Sequence, residues 1–250
     1  LIQEQNVIAG ITNKILSRFV DIVAVGYNEA AKSFSKAKRV VYTGNPVRPD
    51  VLVDSRAEGR QFFGLCDDIF TVLIAGGSRG ARTINTAMID VHKHFQGKPG
   101  IKLVHITGNG EYNTVLEQLG IDDGTGLGES SLILPYLHDM PKALAATDLA
   151  VFRSGAIGLA ELAVRGIPSI LVPYPYAAED HQTYNARIFV QEGAAHMIVD
   201  KVLTSHDLIG EIEMFMANRE LLAQMGASAL RLGKPNAAHD IAELALSIAK

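Results

Sequence analysis

The sequence predicts an α/β fold built on a parallel sheet with helices on both faces. Three observations predict it. Strand-length apolar runs alternate with helix-period patterns along the chain. Runs such as Ile22-Val23-Ala24-Val25 are apolar at every position, as strands buried on both sides are. The strand at 70–75 runs straight into Gly76-Gly77-Ser78-Arg79-Gly80 and then a helix, a junction that parallel α/β sheets use repeatedly.

The elements follow in order. Val7, Ile8, Ile11, Ile15 and Phe19 recur at helical spacing and predict a first helix. Strands follow at 22–25 and 40–42, the second closed by the turn signal Gly44-Asn45-Pro46. Ser55-Arg56-Ala57-Glu58 is a capping box that opens a helix ending near Gly64. A longer series then begins. Strands are predicted at 70–75, 101–106, 132–134, 149–152, 169–172 and 197–199. Helices are predicted on the Ile84, Met88, Val91, Phe95 face and at 111–120, 141–146, 156–165 and about 180–193. Gly120 and Gly166 are the expected C-terminal stops. Three more helical patterns close the chain, at 208–216, 220–230 and 237–248. A boundary is expected near the Pro/Gly turn at 43–49.

Composition limits the function classes. The chain has 250 residues, 48% of them hydrophobic and 20% charged, enough for a substantial core. A net charge of −4 gives no basic field for nucleic acid. One cysteine, Cys66, excludes an internal disulfide and fits a reducing compartment; its acidic neighbours Asp67 and Asp68 mark it as structural rather than reactive. No apolar run approaches the roughly 18 residues of a membrane span. The start has neither a basic n-region nor an initiator Met, so the chain is expected to be a piece of a longer protein.

In parallel α/β sheets, ligands bind beyond the carboxyl ends of the strands. Four segments at such ends carry chemistry. The glycine turn offers backbone N–H groups at a helix N-terminus, suited to a phosphate, with a Ser78 hydroxyl and the Arg79 or Arg82 charge beside them. A plain tight turn is the alternative. Residues 153–161 form a second strand end, turn and helix start, and Glu161 in its second turn can accept two hydrogen bonds from a vicinal diol; a solvated glutamate is the bland option. The Pro-stiffened loop from Pro173 leads to Asp180-His181-Gln182, whose polar groups suit sugar hydroxyls or merely cap the helix. Pro46 and Pro49 extend the backbone around Arg48 and so aim its side chain at a base, unless it is only a surface arginine. A Walker loop, a G-x-G-x-x-G fingerprint and a nucleophile elbow are all missing. The eight histidines are scattered, and no metal or cofactor is expected.

Taken in order, Glu4-Gln5-Asn6, Thr43-Gly44-Asn45-Pro46-Val47-Arg48, Gly76-Gly77-Ser78-Arg79-Gly80-Ala81, Asp139-Met140, Arg153-Ser154-Gly155-Ala156, Glu161 and Asp180-His181-Gln182 to Asn185-Ala186 resemble the MurG family. That family transfers N-acetylglucosamine from UDP to undecaprenyl-diphosphate-muramoyl-pentapeptide. The resemblance spans essentially the whole chain. It implies a GT-B fold of two Rossmann-like domains: 1–42 as the end of the N-terminal acceptor and membrane domain, and 43–250 as the donor-binding domain, with the last helix packing back on the first part. It also assigns roles. Arg48 and the Leu137 backbone would meet the uracil, Ser78 the diphosphate and Glu161 the ribose. Asn6, Ala156, Ile157, Gly158, Leu159, Ala160 and Gln182 would line the amino-sugar. The family usually has His where Gln3 stands and often Gln where Arg79 stands.

The implied function is the inverting transfer that makes lipid II from lipid I in peptidoglycan synthesis, at the cytoplasmic face of the bacterial membrane, in company with cell-wall synthesis proteins. The general base is expected outside this chain, with Glu4 a weaker candidate. A non-catalytic nucleotide-sugar module and another GT-B enzyme, such as a UDP-N-acetylglucosamine 2-epimerase, are the alternatives.

Overall fold

The computed structural model describes residues 1–77 and 80–249. Among these residues the strands form two sheets, both parallel. β1 (Ile2–Glu4), β2 (Val23–Val25) and β3 (Val40–Tyr42) pair in sequence order. The larger sheet holds β4 (Phe70–Ala75), β5 (Ile101–Ile106), β6 (Ser131–Leu134), β7 (Leu149–Phe152), β8 (Ser169–Leu171) and β9 (Ala195–Met197). Their spatial order is β6-β5-β4-β7-β8-β9. The chain lays down β4, β5 and β6 in one direction and then returns to the other side of β4. The order therefore reverses between β4 and β7, the switch point at whose carboxyl ends sheets of this kind form a crevice.

Two-residue alternation divides the core. Phe70, Val72 and Ile74 of β4 join Ile84, Met88 and Val91 of α4 (Arg82–Phe95) and Leu208, Ile212 and Phe215 of α9 (Ser205–Ala217) in one apolar cluster. Leu73 and Ala75 point the other way, toward Leu144 of α6 (Met140–Ala146), Leu159 and Leu162 of α7 (Ala156–Arg165) and Phe189 of α8 (His181–Gln191). Side chains this deeply buried contribute roughly 1.5–3 kcal/mol each. The small sheet has only a modest cluster of its own, around Val23, Val25, Ala30 and Phe34.

Most predicted elements are present, and the departures have physical reasons. The first helix, α1 (Ile11–Leu16), is shorter than the apolar spacing from Val7 suggests. Val7 is instead buried, its N–H donating to Asn185 Oδ1 at 3.0 Å. The last strand ends at Met197 rather than spanning 197–199, since Val199 is exposed. β1 and the Pro-started helix α2 (Pro49–Val53) lie where no element was expected. The capping box does open α3 (Arg56–Phe62): Ser55 Oγ accepts from Glu58 N and Glu58 Oε2 from Ser55 N. α5 (Tyr112–Leu119) and α7 stop at left-handed Gly120 and Gly166. Cys66 is exposed rather than structural; its carbonyl, not its thiol, receives the buried Arg60 guanidinium. The chain closes with α10 (Arg219–Leu232) and α11 (Ala237–Ile248). Just before α11, Lys234 Nζ sits 4.8 Å from the centre of the Tyr42 ring. No helix among the described residues is long and apolar enough to cross a membrane.

Candidate functional site

Two helices begin on either side of the crevice. α4 follows β4 through residues 76–81, and α7 follows β7 through residues 153–155. Neither has a side-chain cap. Their first-turn N–H groups lack intrahelical partners, and both dipoles aim positive ends at the crevice.

The β4–α4 turn requires glycine. Gly77 and Gly80 take φ of 89° and 76°, and a Cβ on Gly80 would collide with the Thr107 carbonyl. Gly76 likewise has no room for a Cβ beside Ala81. Gly80 thus packs tightly against the end of β5, its N–H donating to Gly77 O at 2.9 Å. Ser78 and Arg79, the sequence-derived diphosphate contacts, lie outside the described residues. Arg82 is exposed, and its Nε stands 3.6 Å from Glu111 Oε2.

On the α7 side the site is made by side chains. Arg48 has φ −65° and ψ 139°, the extended backbone that its flanking prolines impose. Its Nε donates to Glu161 Oε1 at 3.0 Å. The arginine side chain is 49% exposed and the glutamate 10%, so the pair stands at the rim with its carboxylate held inward. A carboxylate has about four acceptor positions, so this one bond leaves capacity for a diol.

Residues 71–244 match the glycosyltransferase family 28 C-terminal domain. The chain belongs to glycosyltransferase family 28. Two curated relatives in this family share the name UDP-N-acetylglucosamine--N-acetylmuramyl-(pentapeptide) pyrophosphoryl-undecaprenol N-acetylglucosamine transferase. The protein from Desulforamulus reducens is 43% identical over 243 residues, covering 96% of this chain and 65% of the relative. That from Desulfitobacterium hafniense is 44% identical over 249 residues, covering 100% and 68%. The crystal structure of Acinetobacter baumannii MurG superposes with a TM-score of 0.75 at 28% identity, covering 99% of this chain and 67% of that one. The chain therefore spans about two thirds of the length of these relatives. Its larger sheet is the C-terminal α/β domain of a GT-B fold.

The structure brings Asn6 and Gln182 of this family 28 chain to the α7 start through Ser154 and Asn185. Asn185 Nδ2 donates to Asn6 Oδ1 at 3.0 Å and to Ser154 O at 3.2 Å, tying the small sheet's loop to the end of β7. Asn6 Oδ1 is thereby fixed as an acceptor, which leaves the Asn6 NH2 to donate elsewhere. Gln182 Oε1 accepts from Tyr174 N at 3.0 Å, and Gln182 O accepts from Ser154 Oγ at 2.8 Å. The bond from Tyr174 uses the carbonyl end of the Gln182 amide and leaves its NH2 end to donate. Ile157, Gly158 and Ala160 are half-buried. Leu159 is fully buried and Ala156 nearly so; their side chains face the core, so a ligand contact there falls to the backbone. Leu137 sits in the β6–α6 loop, its side chain packed on the same core.

A cleft of about 420 Å³ lies between the small sheet and the start of α8, lined by Gln3, Glu4, Asn6, Asn13, Glu179 and His181 among others. Lys14 and Glu179 approach across this region at 3.6 Å. Glu179 and Asp180 have φ of 52° and 53°, a left-handed pair of non-glycine residues of the kind that clusters at ligand sites. Glu4 is buried, with Oε1 accepting from Asn6 N and Oε2 from Gly10 N and Asn13 Nδ2. Three donors occupy the carboxylate in fastening the loop to α1, which argues against Glu4 as general base.

Sequence reasoning missed the supports. Arg153 turns away from the crevice, and its Nη1 donates to Val172 O, Pro173 O and Asp200 Oδ2 at 3.0, 3.1 and 2.5 Å. Asp200 also accepts from Thr83 Oγ1 in the first turn of α4. The histidines, dismissed as scattered, include a buried pair, His92 and His105, 3.1 Å apart. A histidine inside the apolar run at 101–106 was the signal available. Among the described residues, no group of three or more His, Cys, Asp or Glu is arranged to hold a metal.

Proposed function

We propose that this chain is the donor-binding part of an inverting transferase that moves N-acetylglucosamine from UDP to undecaprenyl-diphosphate-muramoyl-pentapeptide, converting lipid I to lipid II. The supporting observation is the pairing of two chemistries at one switch point. An uncapped, glycine-built helix start suits a diphosphate, and the Arg48–Glu161 pair opposite suits a base and a ribose diol. The names of the family 28 relatives support the same ligand.

In this reading the diphosphate lies on the β4–α4 turn, where Ser78 and the α4 dipole stabilise the charge that develops on departing UDP. Arg48 and the Leu137 backbone meet the uracil, and Glu161 accepts from the ribose. Asn6, Gln182 and the α7 start from Ala156 to Ala160 hold the amino-sugar. Residues 1–42 contribute one wall of the cleft and residues 43–250 the donor site. The general base comes from the part of the relatives' length that this chain does not span. A lipid-held acceptor makes the work peripheral, at the cytoplasmic face of the membrane, and places the enzyme among the proteins of cell-wall synthesis, cell shape and division.

Calorimetry with UDP-N-acetylglucosamine tests the reading. Saturable binding by folded protein is expected, with UDP competing. A folded sample that binds neither would overturn it. Turnover of lipid I by these 250 residues alone would overturn only the placement of the base.

A further inference from the structure

A chain of four hydrogen bonds is buried behind the glycine turn. Ser131 Oγ lies 2.9 Å from His92 Nδ1, His92 Nε2 lies 3.1 Å from His105 Nδ1, and His105 Nε2 lies 3.0 Å from Asn85 Oδ1. Asn85 Nδ2 donates to the Thr107 carbonyl at 2.9 Å. All four side chains are at most 2% exposed.

One end determines every proton in the chain. A backbone carbonyl can only accept, so the Asn85 NH2 must face Thr107 and its Oδ1 must face His105. His105 then carries its proton on Nε2 and accepts at Nδ1. His92 must donate from Nε2 and accept at Nδ1, which leaves Ser131 as the first donor. Both rings are neutral Nε2–H tautomers. Burial supports this: it pushes the His92 imidazole down to about 4, and burial followed by repulsion from His92 holds His105 well below the ordinary range.

The chain also has a direction in the fold. Asn85 and His92 are seven residues apart on α4, two turns, and so share a face. His105 of β5 wedges between them, and Ser131 of β6 closes the far end. Apolar contacts along the same face let a helix slide by tenths of an ångström; directed bonds set its axial position. The Thr107 carbonyl that ends the chain is also the atom against which Gly80 is packed.

We propose that His105 and Asn85, backed by His92 and Ser131, are positioning residues that set the α4 start and the glycine turn at the correct height for a diphosphate. This rests on the nucleotide-sugar reading of the site, but its first test does not. In the ligand-free protein, imidazole nitrogen NMR should show Nε2–H on both rings; an Nδ1–H signal from either would overturn the directed chain. His105→Leu should speed amide exchange at least tenfold over residues 85–88, with residues 160–165 of α7 unchanged. His105→Gln, whose Nε2 can still donate to Asn85, should recover most of the protection. If His105→Leu does not fold, Ser131→Ala removes the first donor and should give the same local pattern in smaller measure. Uniform exchange, or none, overturns the positioning role.

The second test uses ligands. His105→Leu, or Ser131→Ala in its place, should weaken UDP binding, about tenfold for the first, while leaving uridine binding unchanged, since only the diphosphate meets the turn. Equal losses for both ligands overturn the proposal. A wild-type protein that shows the tautomers and the local exchange pattern but binds no UDP overturns the functional reading and leaves the positioning role standing.

Discussion

The two flanks of the switch point are built from different materials. The β4–α4 flank is backbone: glycines at positive φ, an uncapped helix and a carbonyl against which no side chain fits. Its side chains work from behind, in the buried Asn85–His105–His92–Ser131 chain. The β7–α7 flank is side chain: Arg48 with Glu161, Asn6 with Asn185, and Gln182 with the Tyr174 backbone. The difference matches the ligand chemistry each would serve. A diphosphate is recognised by many converging weak donors, which backbone N–H groups supply at fixed positions. A base, a ribose and a sugar need individual groups at individual points. A backbone site should therefore fail sharply when its geometry changes, and a side-chain site should fail gradually.

Gly80→Ala breaks the backbone flank and carries the largest expected effect. The new Cβ meets the Thr107 carbonyl at a φ of 76°. Strain and overlap together should cost about 3–4 kcal/mol, and UDP affinity should fall at least a hundredfold. Thermal unfolding and calorimetry read the two effects. A tolerated alanine would mean that the flank is less rigid than its packing indicates.

Acid attacks the same flank from behind. His92 is held near 4 in the fold by burial, against an ordinary 6.5 when unfolded. The unfolded chain therefore binds the extra proton first, and stability falls as pH drops through this window. It is fully present above pH 6.5 and reduced by roughly 2–3 kcal/mol at about pH 4.5 for this one group. Denaturant titrations at the two pH values, with His92→Gln as the control that lacks this slope, check it. A wild-type slope equal to the control's would contradict a buried neutral pair.

The flanks also differed in how far the sequence disclosed them. The glycine turn was legible because only glycine serves at those torsions, so the backbone demand is written as residue type. The alternation of strands and helices was legible for a similar local reason. Arg48 and Glu161 were each legible as candidates, but their contact was not: they are 113 positions apart and meet only through the packing of α2 against α7. Val7 looked helical by spacing because an apolar residue is needed there, yet the partner that decides its conformation is Asn185. The histidine chain was hidden for the same reason, apart from the one signal of His105 inside an apolar run. Its four members belong to one helix and two strands, and none forms a local motif.

Glu161→Ala tests the side-chain flank. Removing the carboxylate takes away the acceptor for a ribose diol and frees Arg48, without touching the core beneath α7. UDP affinity should drop about 10–30-fold, or roughly 1.5–2 kcal/mol, while melting changes little. Unchanged affinity would remove Glu161 from the ribose role.

Arg48→Lys is the finest test and carries the smallest expected effect. Lysine keeps the charge but not the fixed guanidinium plane, so it can neither reproduce the Nε contact to Glu161 nor stack flat on a base. The pair stands at the rim, where solvent weakens ion pairing, so the change should weaken UDP binding only about threefold. Binding of inorganic diphosphate should not change, because the backbone flank does not sense the substitution. A loss that appears equally for diphosphate would mean that the two flanks are coupled through Arg48 and are not separate sites joined by one ligand.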